Sequence, residues 1–206
     1  DEYHDDMPEA DYQTWQIELM DELYRVIKPT GSIFYNHKIR RWNNKLHHPW
    51  DFLRECKAEL YQQITWDRHN SSNVRKEYLL PTTELVFWFR KDKPQVFKDQ
   101  AIHKTEVWSI PSERNRNGHP APFPIDLASN AILLTTKEGD TVLDPFSGSF
   151  TTGVACINTN RNFIGIEMSK TYCEYGQERL TRAQEEWKSK NVSSVEPSTG
   201  TSEVEQ

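Results

Sequence analysis

The sequence is poor in the features that would mark a secreted, membrane-spanning or metal-held chain. Cysteine is scarce: Cys56, Cys156 and Cys173 are odd in number and show no CxxC spacing. That argues against a disulfide framework and against a zinc site, and it fits a reduced compartment. No apolar run approaches the roughly 18 residues of a membrane span. No basic leader ahead of an apolar core opens the sequence, so a cytoplasmic protein is expected. Glycine is also sparse, with 8 in 206 residues, and neither G-x-G-x-x-G nor G-K-[ST] occurs. A phosphate-cradling P-loop is thereby excluded, and a nicotinamide or flavin site is disfavoured. Cations do not predominate: a net charge of -6 speaks against nucleic-acid binding over the whole surface, though not against a local basic patch.

Aromatic residues, by contrast, are abundant, with 7 Trp, 8 Tyr and 9 Phe, enough to build a substantial core in a single domain. Reading along the chain, residues 1–10 are acidic and loop-like. Asp11 is a plausible N-cap for a helix whose apolar stripe is Trp15, Leu19, Leu23 and Ile27, ending at Lys28-Pro29. "IFYNHK" reads as a strand and "HPWDFLRECKAEL" as a helix. "YQQITWDR" and "ELVFWFRK" read as antiparallel edge strands. Residues 91–118 read as loop, and Pro124 to Lys137 as a helix with proline in its first turn. "DTVLD" and "NFIGIE" are expected to be buried strands around a helix "TTGVACINTN". A long last helix then precedes a disordered tail, residues 191–206. Strands alternating with helices imply an α/β domain over residues 1–190 with a largely parallel sheet.

The stretch "TVLDPFSGSFTTG" carries the chemistry. A strand that ends in an acid and turns through glycine and hydroxyl residues into a helix presents backbone N–H groups to a polar ligand. About 20 residues beyond, Glu167 closes the second strand, where dinucleotide-type folds bind ribose hydroxyls. Asp144 repels phosphate and attracts an amino group. A ligand with a ribose, an amino acid moiety and no phosphate satisfies both carboxylates, and S-adenosylmethionine is such a molecule. The plainer alternative is a turn in which Gly148 supplies an unusual backbone angle and Asp144 caps the next helix.

The segment "HPAPFPIDLASNAILLTTKEGDTVLDPFSGSFTTGVACINTNRNFIGIEMSKTYCEYGQERL" resembles the amino-group DNA methyltransferases. These enzymes methylate exocyclic amines of adenine or cytosine, and the likeness is to the permuted subgroup whose catalytic half precedes the cofactor half. "YQTWQIELMDELYRVIKPTGSIFYNH" and "ELVFWFRK" extend it upstream, to span roughly Tyr12 to Leu180. The resemblance implies a Rossmann-like S-adenosylmethionine-dependent sheet with helices on both faces. It places His119, Pro120, Ala121 and Phe123 beside the cofactor. It gives the methionine portion to Asp144, Pro145, Phe146, Gly148, Ser149 and Thr151, with Thr152 also in the loop, and the ribose to Glu167. It also implies a double-stranded DNA partner, with adenine ahead of cytosine as target.

Two departures stand out. Phe150 occupies the place of a second loop glycine, where its ring could stack on the adenine, close the pocket or crowd the methionine tail. More seriously, the family's Pro-Pro-Tyr catalytic loop occurs nowhere in the 206 residues, and the strand leading to it is missing too. No catalytic residue is therefore assigned, and this chain alone is expected to be inactive. The expected sheet lacks a central strand between "TVLD" and "SIFYN", either through N-terminal truncation or because a second polypeptide or a homodimer partner completes it. A non-catalytic nucleic-acid-binding subunit on a degenerate methyltransferase fold is the competing reading.

Phosphate contacts are expected from "HKIRRWNNKLHH", through Lys38, Arg40, Arg41 and Lys45, although a plain solvated loop would look the same. Residues 91–118, with Lys91, Lys93, Arg114 and Arg116, hold the position of a short target-recognition region. The histidines His37, His47 and His48 lack acid or cysteine spacing for a metal.

Overall fold

A computed structural model describes residues 7–42, 44–71, 74, 76–112 and 123–192. His119, Pro120, Ala121, Arg114 and Arg116 lie outside these residues, as does the tail beyond residue 192. The chain opens with α1 (Glu9–Val26), β1 (Ser32–His37) and a hairpin of β2 (Arg40–Trp42) and β3 (Lys45–His47). The short α2 (Trp50–Leu53), β4 (Glu59–Asp67), β5 (Thr83–Arg90) and β6 (Val107–Ser109) follow. The second half is α3 (Ile125–Thr135), β7 (Thr141–Asp144), α4 (Thr151–Asn158), β8 (Asn162–Gly165) and α5 (Lys170–Val192).

Strand β5 explains most of the packing. Its side chains alternate between two faces, and both faces are covered. Leu85, Phe87 and Phe89 meet Met20 of α1 and Phe52 and Leu53 of α2. Val86 and Trp88 meet Ile64, Trp66, Trp108 and the α3 residues Leu127 and Leu134. The four-stranded sheet runs β1-β5-β4-β6. β5 is therefore interior rather than an edge strand. Its antiparallel pairing with β4 is as expected. The sheet is not largely parallel: β1–β5 and β4–β5 are antiparallel, whereas β4–β6 and β7–β8 are parallel.

Other expectations are corrected locally. The buried line of α1 is Gln16 and Met20, with Tyr12, Leu23 and Ile27 partly buried. Trp15 is 39% exposed, so the predicted stripe holds at Leu23 and Ile27, while Gln16 and Met20 take the buried places in the first half of the helix. Polar Gln16 can occupy that line because its Oε1 accepts a 2.7 Å hydrogen bond from Tyr35. The helix expected over 48–60 shrinks to α2, because Glu59 and Leu60 join the ladder opposite Arg90 and Phe89. Residues 91–118 contain β6, whose Trp108 is buried in the core. Residues 37–48 fold as the β2–β3 hairpin, not as a plain loop. Asn191 is still helical, as the end of α5.

The β7–β8 pair forms its own two-stranded sheet. Among the described residues, β7 pairs only with β8 and β1 only with β5. One face of the pair is covered: Val142 and Phe163 pack with Ile132, Ala155 and Cys156 of α3 and α4. The expectation that these strands are buried fails on the other side, where Leu143 and Ile164 are exposed, with Ile166 and Met168 beyond. Helix α3 sutures the two halves. Leu127 and Leu134 enter the four-stranded core, while Ile132 faces the β7–β8 pair.

Candidate functional site

The turn after β7 is held at almost every step. Asp144 Oδ1 accepts from the Phe146 N–H at 3.0 Å, and its Oδ2 accepts from Thr152 Oγ1 at 2.6 Å. Glu167 reaches the same turn from the end of β8, accepting from the Gly148 N–H at 2.8 Å through Oε2 and from the Ser169 N–H through Oε1. The Ser147 N–H donates to the Ile166 carbonyl at 3.0 Å. Both predicted carboxylates thus converge on one loop. Gly148 sits there with φ +48°, a backbone angle that favours glycine. Asp144 does bind a residue of α4, but the residue at the helix cap is Phe150. The plainer reading is therefore only half met.

Phe150 too has positive φ, at 60°, the backbone angle for which a glycine is expected there. Its ring packs into the space above Gly176, where an added Cβ would stand 2.5 Å from Phe150 Cγ. It lies edge-on to Phe163, with ring centroids 5.9 Å apart. The ring is half-buried, and its contacts with Gly176 and Phe163 act against the strain of roughly 1–2 kcal/mol for a left-handed residue.

Arg179, which sequence reading passed over, clamps the loop from α5. One guanidinium nitrogen donates to the Ser149 carbonyl (2.6 Å), Ser149 Oγ (2.8 Å) and Thr151 Oγ1 (3.1 Å). The only sequence signal is a cation on the last helix, 30 residues from Ser149. Thr151 is buried, Pro145 half-buried and Phe146 exposed. Phe123 stands exposed immediately before Pro124, the residue that precedes α3. Burial and the nearby Asp144 carboxylate push the Cys156 thiol up to about 12, so it stays protonated and unreactive at neutral pH.

A chain of aromatic contacts leads from this loop to the hairpin. Phe146 meets Trp15 of α1 at 5.6 Å, and Trp15 meets Tyr12 at 6.2 Å between ring centroids. The Tyr12 hydroxyl is 2.9 Å from His37 Nε2 at the end of β1. Burial, together with the Arg40 and Lys38 charges, holds the His37 imidazole below its usual range, against opposing help from the Lys38 carbonyl and Glu84. Arg40 is corrected as a phosphate contact. It pairs with Glu9 at 2.6 Å, and its guanidinium lies 4.7 Å over the Tyr12 ring. Burial disfavours the Glu9 carboxylate, but hydrogen bonds from Gln13 and Arg40 outweigh it and hold the carboxyl below its usual value. Lys91 is likewise occupied, donating to the carbonyls of Tyr24, Arg25 and Ile27 at the end of α1. Lys38, Arg41, Lys45 and Lys93 are exposed.

His48 Nδ1 accepts from the Trp50 N–H, while His47 stands opposite Arg40 in the hairpin. Among the described residues, no group of three or more His, Cys, Asp or Glu side chains could hold a metal. No described helix is long and apolar enough to cross a membrane.

Comparison with solved structures places this architecture in a known class. The PvuII DNA methyltransferase (cytosine-N4-specific) superposes with a TM-score of 0.75 at 18% identity, over 91% of this chain and 79% of that one. The M1.HpyAVI–SAM complex matches at 28% identity with a TM-score of 0.65, over 80% of this chain and 81% of that one. The fold is thus the Rossmann-like one of the methyltransferases. Type II methyltransferase M2.MboI of Moraxella bovis is 29% identical over 189 residues, covering 83% of this chain and 66% of that protein. A family model described as DNA methylase matches residues 1–178. The chain belongs to this N6/N4 DNA methylase family. It spans 66% of the length of the Moraxella relative.

Proposed function

We propose that the chain is the cofactor-binding portion of a DNA methyltransferase that methylates an exocyclic base amine, adenine ahead of cytosine. The observation that carries this reading is the convergence of Asp144 and Glu167 on one glycine-containing loop. The residues fit S-adenosylmethionine. A Cβ at Gly148 would meet nothing nearer than 4.0 Å, so the loop has an open side there, while the Phe150 ring packs at Gly176. The Asp144 carboxylate has acceptor sites beyond its bonds to Phe146 and Thr152. In this reading Asp144, Pro145, Phe146, Gly148, Ser149 and Thr151 hold the amino acid end and Glu167 the ribose. His119, Pro120, Ala121 and Phe123 stand alongside. The bound cofactor supplies a methyl group on a sulfonium. A solved relative with SAM in its complex supports the assignment.

Asp144 neutralises the ligand's ammonium group, and Thr152 and the Phe146 N–H keep that carboxylate oriented. Glu167, tied to Gly148, couples ribose binding to the shape of the loop. The target amine must be brought out of the duplex to reach such a site, and positioning then supplies much of the rate. The groups that orient the amine come from polypeptide outside these 206 residues. The absent Pro-Pro-Tyr segment, the sides of β1 and β7 left unpaired among the described residues, and the exposed Leu143 and Ile164 all support that placement. A strand inserted there would pair with both edges, whether it is supplied by the same chain, a second polypeptide or a homodimer partner. The competing non-catalytic reading rests on Phe150 and on the missing Pro-Pro-Tyr loop, and an intact loop in the upstream residues would overturn it.

Calorimetric titration of S-adenosylmethionine and its demethylated product into the folded chain tests the proposal. Saturable binding that weakens about 10- to 100-fold in Asp144→Ala is expected. No binding by the folded full-length protein overturns it. Mass analysis of methylated DNA then separates adenine from cytosine.

A further inference from the structure

Two consecutive leucines stand out on the surface. Leu79 is 92% and Leu80 44% exposed, in the loop that joins β4 to β5. This loop is anchored at its base. The Arg68 N–H donates to the Thr82 carbonyl at 2.8 Å, and the Arg68 guanidinium bonds Glu84 and the Pro81 carbonyl. Its outer part is tied sideways to the hairpin, where the Arg41 guanidinium lies 4.9 Å from the Tyr78 ring centroid. Directly across the hairpin ladder from Arg41 is Leu46, itself 62% exposed. Three leucines are therefore presented outward on two loops pinned together.

Cations flank them. Lys38, Arg41 and Lys45 are exposed on the hairpin, and Lys76 offsets its neighbour Glu77. In a chain of net charge -6 such a local concentration points to a polyanionic surface. The location is informative as well. The contacts Phe146–Trp15–Tyr12–His37 put the hairpin at the same end of the molecule as the loop after β7.

We propose that Leu79, seconded by Leu80, is an apolar wedge that enters the base stack of double-stranded DNA while Arg41 and Lys45 hold the adjacent phosphates. Minor-groove and base-extruding proteins insert such apolar side chains between base steps, and the hole left by an extruded base needs filling. The inference rests on the DNA methyltransferase reading above. It adds the residue that occupies the vacated space.

The test compares binding of the full-length protein to an intact duplex and to the same duplex with one abasic site, by fluorescence anisotropy. An abasic gap removes most of the unstacking cost. The unmodified protein is therefore expected to prefer the gapped duplex by about tenfold. Leu79→Ala should abolish that preference while leaving affinity for the intact duplex within about twofold and the melting temperature unchanged. Arg41→Ala with Lys45→Ala should weaken binding to both duplexes alike and lower the salt slope by about 2. A preference that survives in Leu79→Ala overturns the wedge, as does duplex binding with no preference at all. Loss of a dimer in Leu79→Ala, seen by sedimentation, also overturns it, because the leucines then belong to an interface between copies. Failure to bind any duplex overturns the DNA reading itself, and the wedge with it.

Discussion

The two halves of this molecule are finished to different degrees. In the first, β5 is paired on both sides and covered on both faces, with Phe87, Phe89 and Trp108 almost fully buried. In the second, the β7–β8 pair is covered on one face only, and Ile164 on the other is 53% exposed. Yet the second half carries the ordered loop with its two carboxylates and Arg179. Stability and site geometry therefore draw on different elements here. The loop is shaped by local hydrogen bonds, while the bulk of the apolar burial lies in the neighbouring sheet.

That contrast can be broken at its strong end first. Phe87→Ala is expected to cost about 3–5 kcal/mol, enough to unfold a marginal domain, as read by denaturant melts. In the weaker half, Gly176→Val would drive a side chain into the Phe150 ring. It should cost about 1–3 kcal/mol, with cofactor affinity falling alongside stability. Asp144→Ala should leave the melt nearly intact and weaken S-adenosylmethionine binding about 10- to 100-fold. That is the loss of a charged hydrogen bond worth roughly 1.5–3 kcal/mol, measurable by calorimetry.

A pH titration singles out the first half. The lowered pKa of half-buried His37, packed among Tyr12, Tyr35 and Phe52, means the unfolded chain takes up its proton first as acid is added. Its contribution is therefore complete above about pH 6.5 and is lost as pH falls through the lowered folded value. Melting temperatures should fall below pH 6.5, and His37→Gln should flatten that slope. The smallest effect is expected for Ile164→Thr. In this chain it should change stability by less than about 0.5 kcal/mol, and by clearly more in a protein whose sheet is completed over β7.

Local signals in the chain picked out the loop on which Asp144 and Glu167 meet. An acid at a strand end, a glycine and hydroxyl run, and a second acid at the next strand end depend on residues near one another, and they met on one loop. Helix α3 and the β4–β5 pairing were legible for the same reason, through proline placement and apolar runs. What escaped depended on distant partners. The four-residue spacing of α1 finds Leu23 and Ile27 but not the burial of polar Gln16, which depends on Tyr35 reaching it from β1. Nothing near Phe150 says that Gly176 makes room for its ring. Arg40 looks like its neighbour Arg41 until Glu9 and Tyr12 are seen around it.

By itself, then, the amino-acid order determined the type of most elements, the glycine loop with its two acids and the family, because backbone propensity and short-range hydrogen bonding act within a few residues. Only the tertiary structure decided which cations are spent on internal partners, where Phe150 packs and which sheet face is left bare. Those outcomes depend on burial and pairing between segments far apart in the chain. The energy of such contacts belongs to neither segment alone.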